Sequence, residues 1–579
     1  MSLIKKLILL APIALLASSK HPIPPGGIIE RQIEQESEAK QIDAEKHVPM
    51  LEIDIPEKQL DLGNEKALIE KVTFSGNTIF SSKCLQKIVK SYLGKEISMK
   101  EIQEMCYKIQ AKYAKRGYFL TRAYVPPQEL KDATLNIEIL EGKLGNITVV
   151  GNKHYSDRFI IRHFEKYQGK PINYDQILKA LLLLDDNADL DVGAVFKKGT
   201  AFGTADLVVR VSDNRPIHVM IDHNNYGSER LSTKRDRTGS KFDFGNLLLD
   251  GDMLSLVEVI GEPISSLNFT SANYHIPFNT YGSAFDVSYL FAMSKTQKIK
   301  NVKYEGKSQI ATLKFSQPLQ RTRRLNTDVF TSFDYKQIQN FGNGERSSYD
   351  KLRVLTVGGK IDYIDGWKGR NIFSLDTVVG IPNFLGANKA KSHASSRDDG
   401  GALFVMLNGG WRRLQKLPFD CFLLFNTFMQ YSFMKLPLPE QIYIGGVDTV
   451  RGYPLAVAIG DHGLYANLEL RVPPPFLRAH KIPWTQTTWG EFVQFVGFAD
   501  HGETYEYGHD IVRIIRRKKG KNEQTGEKLK ASHLTSAGYG VRVYGPWRIE
   551  FSLDVGYPLT KQHRKSDTIV YYRVAWKIL

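Results

Sequence analysis

Long apolar runs are scarce in this chain. After residue 20 no stretch of about 18 apolar residues occurs, the least a transmembrane helix needs, which excludes a helical membrane protein. Cysteine is equally scarce: Cys84, Cys106 and Cys421 are the only three, too few for a disulfide scaffold. Cys84 and Cys106 fall on expected helices of one small domain and are candidates to pair in an oxidising compartment; two buried free thiols are the plainer alternative. Metal-ligand spacing is missing around His21, His47 and His501. No Ser-His-Asp set or metal cluster stands out, so the chain reads as a non-enzyme without cofactor or metal. The net charge of +16 allows contact with nucleic acid or anionic lipid. No nucleic-acid motif accompanies it, so nucleic acid is not an expected partner.

Aromatic residues and glycine are plentiful. Aromatics make up 11%, with 27 Tyr and 30 Phe, and there are 47 Gly, a composition that suits a strand-rich protein. The start of the chain sets the compartment. Lys5 and Lys6 precede an apolar core from Leu7 to Leu16, and Ala17-Ser18-Ser19 offers small residues for cleavage. Residues 1–19 therefore read as a secretory signal peptide. Residues 20–63 have linker composition, and His21-Pro22-Ile23-Pro24-Pro25-Gly26-Gly27 breaks structure. Ile28 to His47 is helix-permissive yet too polar to bury a broad face, so it is expected as a solvated helix or a plug in a watery channel. Val48 to Pro56 is a further linker stretch.

Residues 64–214 hold an internal repeat, read as two domains, 64–142 and 143–214. One copy opens with Glu70-Lys71-Val72-Thr73-Phe74-Ser75-Gly76-Asn77, the other with Gly145-Asn146-Ile147-Thr148-Val149-Val150-Gly151-Asn152. Each is an alternating strand ending in Gly-Asn, a pair that tolerates positive φ. Helices are expected near Ser82 to Leu93 and Met99 to Arg116, then near Ser156 to Tyr167 and Tyr174 to Leu184. Closing strands are expected at Phe119 to Val125, Thr134 to Leu140, Asp191 to Lys197 and Thr204 to Ser212. The βααββ order makes one compact α+β module, used twice.

Residues 215–579 change to period-2 alternation. Ile549, Phe551, Leu553, Val555 and Tyr557 form an apolar face, interleaved with Arg548, Glu550, Ser552, Asp554 and Gly556. Leu464, Ala466, Leu468 and Leu470 alternate with Tyr465, Asn467, Glu469 and Arg471. Charged residues on one face of strand after strand fit a barrel with a wet lumen and a lipid-facing exterior. Proline recurs at expected strand ends, at Pro277, Pro318, Pro418, Pro473 and Pro546. Long connections at Lys295 to Lys307, Leu385 to Ala402, Lys435 to Asp461 and His501 to Leu534 alternate with these short turns. The reading is a mainly β chain: a transmembrane antiparallel barrel of about 16 strands. Its last strand, Thr568 to Leu579, ends in Leu rather than the Phe common in such barrels.

Two short motifs extend this reading. Val450-Arg451-Gly452-Tyr453 sits in a long loop, and Phe498, Asp500 and Gly502 fit Phe-x-Asp-x-Gly on a strand. With the repeat and with Arg116-Gly117-Tyr118, Tyr124-Val125-Pro126-Pro127-Gln128 and Glu141-Gly142, the chain resembles the two-partner secretion transporters of the haemolysin-activation-secretion type. The resemblance implies two POTRA domains in the periplasm and a barrel in the outer membrane. It implies a large secreted partner protein, haemolysin- or adhesin-like, recognised by the POTRA domains and moved through a monomeric barrel. It also implies that Arg451 folds back into the lumen to pair with Asp500. The cargo-binding residues within the POTRA domains are not legible. Outer-membrane lipid and lipopolysaccharide are the expected surroundings; the basic cluster Arg513, Arg516, Arg517, Lys518, Lys519 and Lys521 reads as a solvated loop within reach of either lipopolysaccharide or cargo. An assembly insertase of the same superfamily and a passive porin are the alternatives. The insertases typically carry more POTRA modules, and a porin leaves residues 64–214 without a purpose.

Overall fold

The computed structural model describes residues 50–54, 66–228, 234–295, 303–397, 400–483, 485, 487–507, 531–545, 548–560 and 568–578. The expected signal peptide, the polar segment Ile28 to His47 and the basic cluster from Arg513 to Lys521 lie outside the described residues.

The first module forms because its helices present one apolar stripe. Helix Met99–Ala114 starts on a capping box, in which Glu101 accepts from the Ser98 N–H at 2.7 Å while Ser98 caps the Glu101 N–H. It buries Ile102, Met105, Cys106, Ile109 and Tyr113, the spacing of one helical face. With helix Ser82–Val89 it covers a sheet in which Thr134–Leu140 lies between Lys71–Ser75, parallel to it, and Arg122–Tyr124, antiparallel. Cys84 and Cys106 are free thiols. Burial pushes the Cys106 thiol up to about 11, so it is inert and neutral. A small strand pair expected nowhere in the sequence, Lys66–Ile69 with Lys95–Ser98, closes the near side.

The second module repeats the plan. Helices Asp157–Glu165 and Tyr174–Asp185, capped by Ser156 and Asn173, pack on Lys143–Val150, Leu190–Lys198 and Thr204–Asp213. Its core holds Phe159, Ile160, Phe164, Leu181, Leu184, Phe196, Leu207 and Val209. The repeated Gly-Asn turn has one cause in both copies. Gly76 and Gly151 have φ of 78° and 97°, and a Cβ on either would stand 2.3 Å from a carbonyl of the facing strand, Ile139 or Val211. One element departs from expectation. Leu51–Asp54, read above as linker, adds a fourth strand to this sheet, parallel to Leu190–Lys198.

Beyond residue 216, sixteen antiparallel strands close into a barrel, from Ile217–Asn224 to Ile569–Lys577. The last pairs with the first, from Met220↔Lys577 to Asn224↔Arg573. Alternation sorts the two faces: Leu468, Leu470, Val570, Val574 and Trp576 are exposed, whereas Glu469, Tyr571 and Ala575 are buried inward. The connections differ from expectation in two places. Pro318 is not at a strand end; Tyr304–Arg321 runs through it, and a register shift between Pro318 and Gln320 absorbs the missing N–H. His501 does not open a loop either, since its strand continues to Tyr505. The second module rests on the first turns of the barrel. Arg321 meets Asp186 at 2.8 Å, His218 meets Asp189 at 2.8 Å, and the Asn246 side chain donates to the His154 carbonyl at 3.1 Å.

Candidate functional site: a pinned hairpin inside the barrel

The connection between Phe422–Ser432 and His462–Val472 turns into the lumen instead of standing outside. Its arms, Ile442–Ile444 and Ala458–Gly460, pair antiparallel and form a hairpin of their own. Apolar contacts seat it: Ile442, Ile444, Val450, Tyr453, Val457 and Ala458 pack with Tyr465 and Leu534 of the wall. A charged interior cannot do this alone, because hydrated carboxylates do not expel water. The apolar cluster supplies the dry floor on which the ionic contacts gain strength.

Arg451 stands at the tip. Its Nε and Nη2 donate to the two oxygens of Asp500 at 2.8 and 2.9 Å, and its backbone N–H donates to the same carboxylate at 3.0 Å. Such a two-point contact suits the planar fork of arginine and no lysine could reproduce it. The guanidinium also lies 3.5 Å over the Phe498 ring. Its Nη1 donates to Glu469 at 2.8 Å and lies 3.6 Å from Asp554. Arg542 bridges Asp554 and Glu469, at 2.7 and 3.4 Å, and Arg471 donates to Glu469 at 2.8 Å. Three guanidinium groups thus face three carboxylates, a neutral set by charge count, which is what burial of ions demands.

The rest of both motifs has a steric or polar task. Gly452 has φ of 85°, and a Cβ there would stand 3.0 Å from the backbone of Gly556. Two glycine backbones touch at this point, so the hairpin tip lies flat against strand Ile549–Pro558. The Gly452 N–H donates to the Tyr571 hydroxyl at 3.2 Å, and that hydroxyl donates to the Tyr453 carbonyl at 2.9 Å. The Tyr453 hydroxyl reaches the Thr535 carbonyl at 2.9 Å and accepts from the Thr560 N–H at 3.0 Å. Gly502 leaves the space that Val450 fills, since a Cβ there would meet the valine methyl at 2.9 Å. All seven motif residues therefore meet in one place.

Sequence reasoning missed the partners Glu469, Arg471, Arg542, Asp554 and Tyr571. Each sits on the polar face of an alternating strand, a signal that marks the lumen but not which charges meet. It also missed the root of the hairpin. Asp461, fully buried, takes Arg397 Nη1 at 2.6 Å, the Leu436 N–H at 2.9 Å, the Gln441 side chain at 3.2 Å and the Tyr507 N–H at 2.8 Å. One carboxylate thereby ties three outer connections together.

Comparison with known proteins gives this geometry a setting. A family model described as haemolysin secretion/activation protein ShlB/FhaC/HecB matches residues 203–511, more than half of the chain. A second, described as POTRA domain, ShlB-type, matches residues 67–142. The heme/hemopexin transporter protein HuxB of Haemophilus influenzae is 24% identical over 397 residues, 67% of this chain and 68% of that protein. The outer membrane transporter CdiB of Dickeya dadantii is 22% identical over 525 residues, 87% of this chain and 86% of that protein. Among solved structures, CdiB from Escherichia coli superposes with a TM-score of 0.72 at 18% identity, covering 98% of this chain and all of that one, which shows a shared fold.

Proposed function

The chain belongs to the haemolysin secretion/activation family ShlB/FhaC/HecB, and from that premise we propose how its parts divide the work of moving a partner protein across the outer membrane. It is an outer-membrane transporter of the two-partner secretion type, with the POTRA region in the periplasm. Residues 64–142 and 143–214 act as two cargo-receiving POTRA domains, residues 215–579 as the channel, and residues 28–47 as a resting-state plug. The cargo is a large secreted protein of the haemolysin or adhesin kind. The barrel works as a monomer among outer-membrane lipid and lipopolysaccharide; a closed sheet with no free edge supports that reading.

One observation carries the mechanism: the hairpin tip is held against a single wall of the barrel. Asp500, Glu469, Asp554, Tyr571 and Thr535 all lie on the last five strands, from His462–Val472 to Ile569–Lys577. Holding the tip there keeps it off the opposite wall, along which an extended chain can pass. Passage needs no nucleotide; folding of the cargo outside makes each outward step irreversible. Arg451 and Asp500 are thus placement residues. They fix where the hairpin is and form no bond with cargo.

The secreted proteins of cells with and without this chain provide the test. An exporter removes one large protein, or a few, from the medium and leaves other outer-membrane proteins at normal levels. A general fall in barrel proteins would support the insertase reading instead, and an unchanged secretome with altered uptake of small solutes would leave a porin.

A further inference from the structure

The outer wall of the barrel carries an unbalanced charge at one height. Strand Glu345–Ile364 ends on the periplasmic side: the Ile364 N–H donates to the Arg324 carbonyl, close to Arg321 and its contact with the second module. Above that end Ile361, Val357 and Leu355 face lipid, all exposed. From Ile364 to Arg353 the strand climbs about 29 Å, at about 3.4 Å per residue and a tilt of about 40°, enough to span an apolar band of about 25 Å. The next outward positions are Arg353, Lys351 and Tyr349. They stand where headgroups replace acyl chains.

Cations gather at this height. Lys351 lies 4.7 Å from the centre of the Tyr349 ring and Arg346 lies 5.2 Å from it. A register shift between Asn340 and Phe341 turns Arg346 onto this face. Lys307, of strand Tyr304–Arg321, lies 5.1 Å over the Phe341 ring. Glu305 lies 3.2 Å from Lys307 and 3.9 Å from Lys295, and Glu345 stands at the hairpin tip. Among the described residues, Arg346 and Lys351 meet no carboxylate. At the periplasmic rim of the wall Arg413, by contrast, is paired with Asp365 at 2.6 Å.

An apolar clip completes the face. The connection after Arg370–Gly380 folds down onto the outside of the wall, where Phe384 meets Phe333 edge-on at 6.1 Å. Phe384 and Leu385 stay half-exposed. Arg353 pins this segment. It is buried, lies 3.3 Å over the Tyr335 ring, and donates from Nε and Nη2 to the Leu385 carbonyl at 3.1 and 2.6 Å.

We propose that this strip is a docking site for lipid A, the phosphorylated glycolipid anchor of lipopolysaccharide. Arg346 and Lys351 receive a glucosamine phosphate through charge-assisted hydrogen bonds, and the acyl chains run down Leu355, Val357 and the clip. Arg353, itself buried, serves only to hold the clip. Cargo leaves through the lumen, and this face looks away from it. The apolar wall below the cations also calls for an occupant that is anionic at one end and acyl at the other. The inference deepens the reading of lipopolysaccharide as the barrel's surroundings and does not depend on export.

The test uses the full-length protein, extracted from cell membranes in mild detergent and stripped of lipid. Native mass spectrometry counts the lipid it retains from three probes: bisphosphorylated lipid A, the same molecule without phosphates, and phosphatidylglycerol. Wild type should retain lipid A at least tenfold better than either of the others. Arg346→Glu with Lys351→Glu should lose that preference, its barrel still resisting detergent unfolding. Lys234→Gln, which removes a cation elsewhere on the outer rim, should keep it. Equal retention by wild type and the double variant overturns the site. Equal retention of lipid A and phosphatidylglycerol by wild type overturns its assignment to lipid A. Lost secretion with unchanged lipid A in the double variant also overturns it and gives the face to the exported chain. Membrane fractionation places the barrel independently. Recovery outside the outer membrane sinks the reading of its surroundings as well, whereas recovery within it, without retained lipid A, sinks the site alone.

Discussion

The molecule has two kinds of interior. Those of the POTRA modules are dry: apart from Glu141, His163 and a few polar groups, leucine, isoleucine, valine and phenylalanine fill them. The site at the centre of the barrel is ionic, with Arg451, Glu469, Asp500, Arg542 and Asp554 gathered in one contact network. An apolar core stabilises by amount, since its free energy scales with the area removed from water. A neutral set of ions stabilises little, because desolvation offsets attraction, but it tolerates one arrangement only. The first kind of interior holds a fold together. The second holds a hairpin in position.

Several substitutions put that contrast at risk, the strongest in the dry interior. Phe164 is fully buried in the second module. Phe164→Ala should cost about 3–5 kcal/mol, through lost burial and the cavity left behind. Chemical denaturation of a fragment of residues 50–214 should show the fall, without change in the barrel of the full chain. If the cost stays below about 1 kcal/mol, the module is not held by its apolar core.

A charge can also be put into the dry interior by acid. Burial holds His163 at about 4, below its ordinary 6.5, with Arg162 and Lys166 adding to the effect. Its Nδ1 lies 2.9 Å from the Phe159 carbonyl, which can only accept, so Nδ1 carries the proton of the neutral ring. Because the unfolded ring binds a second proton first, this contribution is complete above pH 6.5. It is lost as pH falls from 6.5 towards 4, reaching about 3 kcal/mol below that. Denaturation midpoints of the fragment across pH 4 to 7 should show the slope, and His163→Leu should flatten it. A slope equal in both proteins would mean that other groups carry the acid sensitivity.

The ionic interior should answer differently. Arg451→Ala leaves Asp500 and Glu469 short of a cation, at about 1–3 kcal/mol, because Arg471 and Arg542 still face Glu469. The barrel should still insert and resist detergent unfolding, yet secretion should drop at least tenfold. Asp500→Ala should match it, and the double variant should be little worse, since one interaction is removed either way. Loss of the barrel itself would place this network with the folding cores and erase the distinction. Gly502→Val should imitate Arg451→Ala without touching a charge, because the added methyls take the space of Val450.

The smallest effect is expected where neither interior is involved. Lys234 and Glu262 lie 2.8 Å apart with both side chains more than half exposed. Lys234→Ala should change stability by less than about 1 kcal/mol and leave secretion intact. Any large loss there would show that exposed loop pairs matter as much as the lumen.

How much of this was legible follows the range of the forces. Strand alternation at Leu464 to Arg471 and at Arg548 to Tyr557 marked a barrel, because each strand meets lipid on one side and water on the other along its whole length. The repeated Gly-Asn turn and the apolar helix stripes marked two copies of one module, because helix and turn chemistry are local. Val450 to Tyr453 and Phe498 to Gly502 marked the site, but only through resemblance. Tertiary structure alone decided the rest. Which lumen charges meet depends on how neighbouring strands are staggered: Asn467 faces Asp500 across one pair and Asp554 faces Gly540 across another, and a shift of two residues would keep every side chain on its face and separate the ions. The strand at Leu51–Asp54 has four residues and no pattern of its own; only an open edge more than a hundred residues further along the chain made it a strand. Period and composition are written residue by residue. Register and edge occupancy are relations between distant segments, and they come into being when the chain closes on itself.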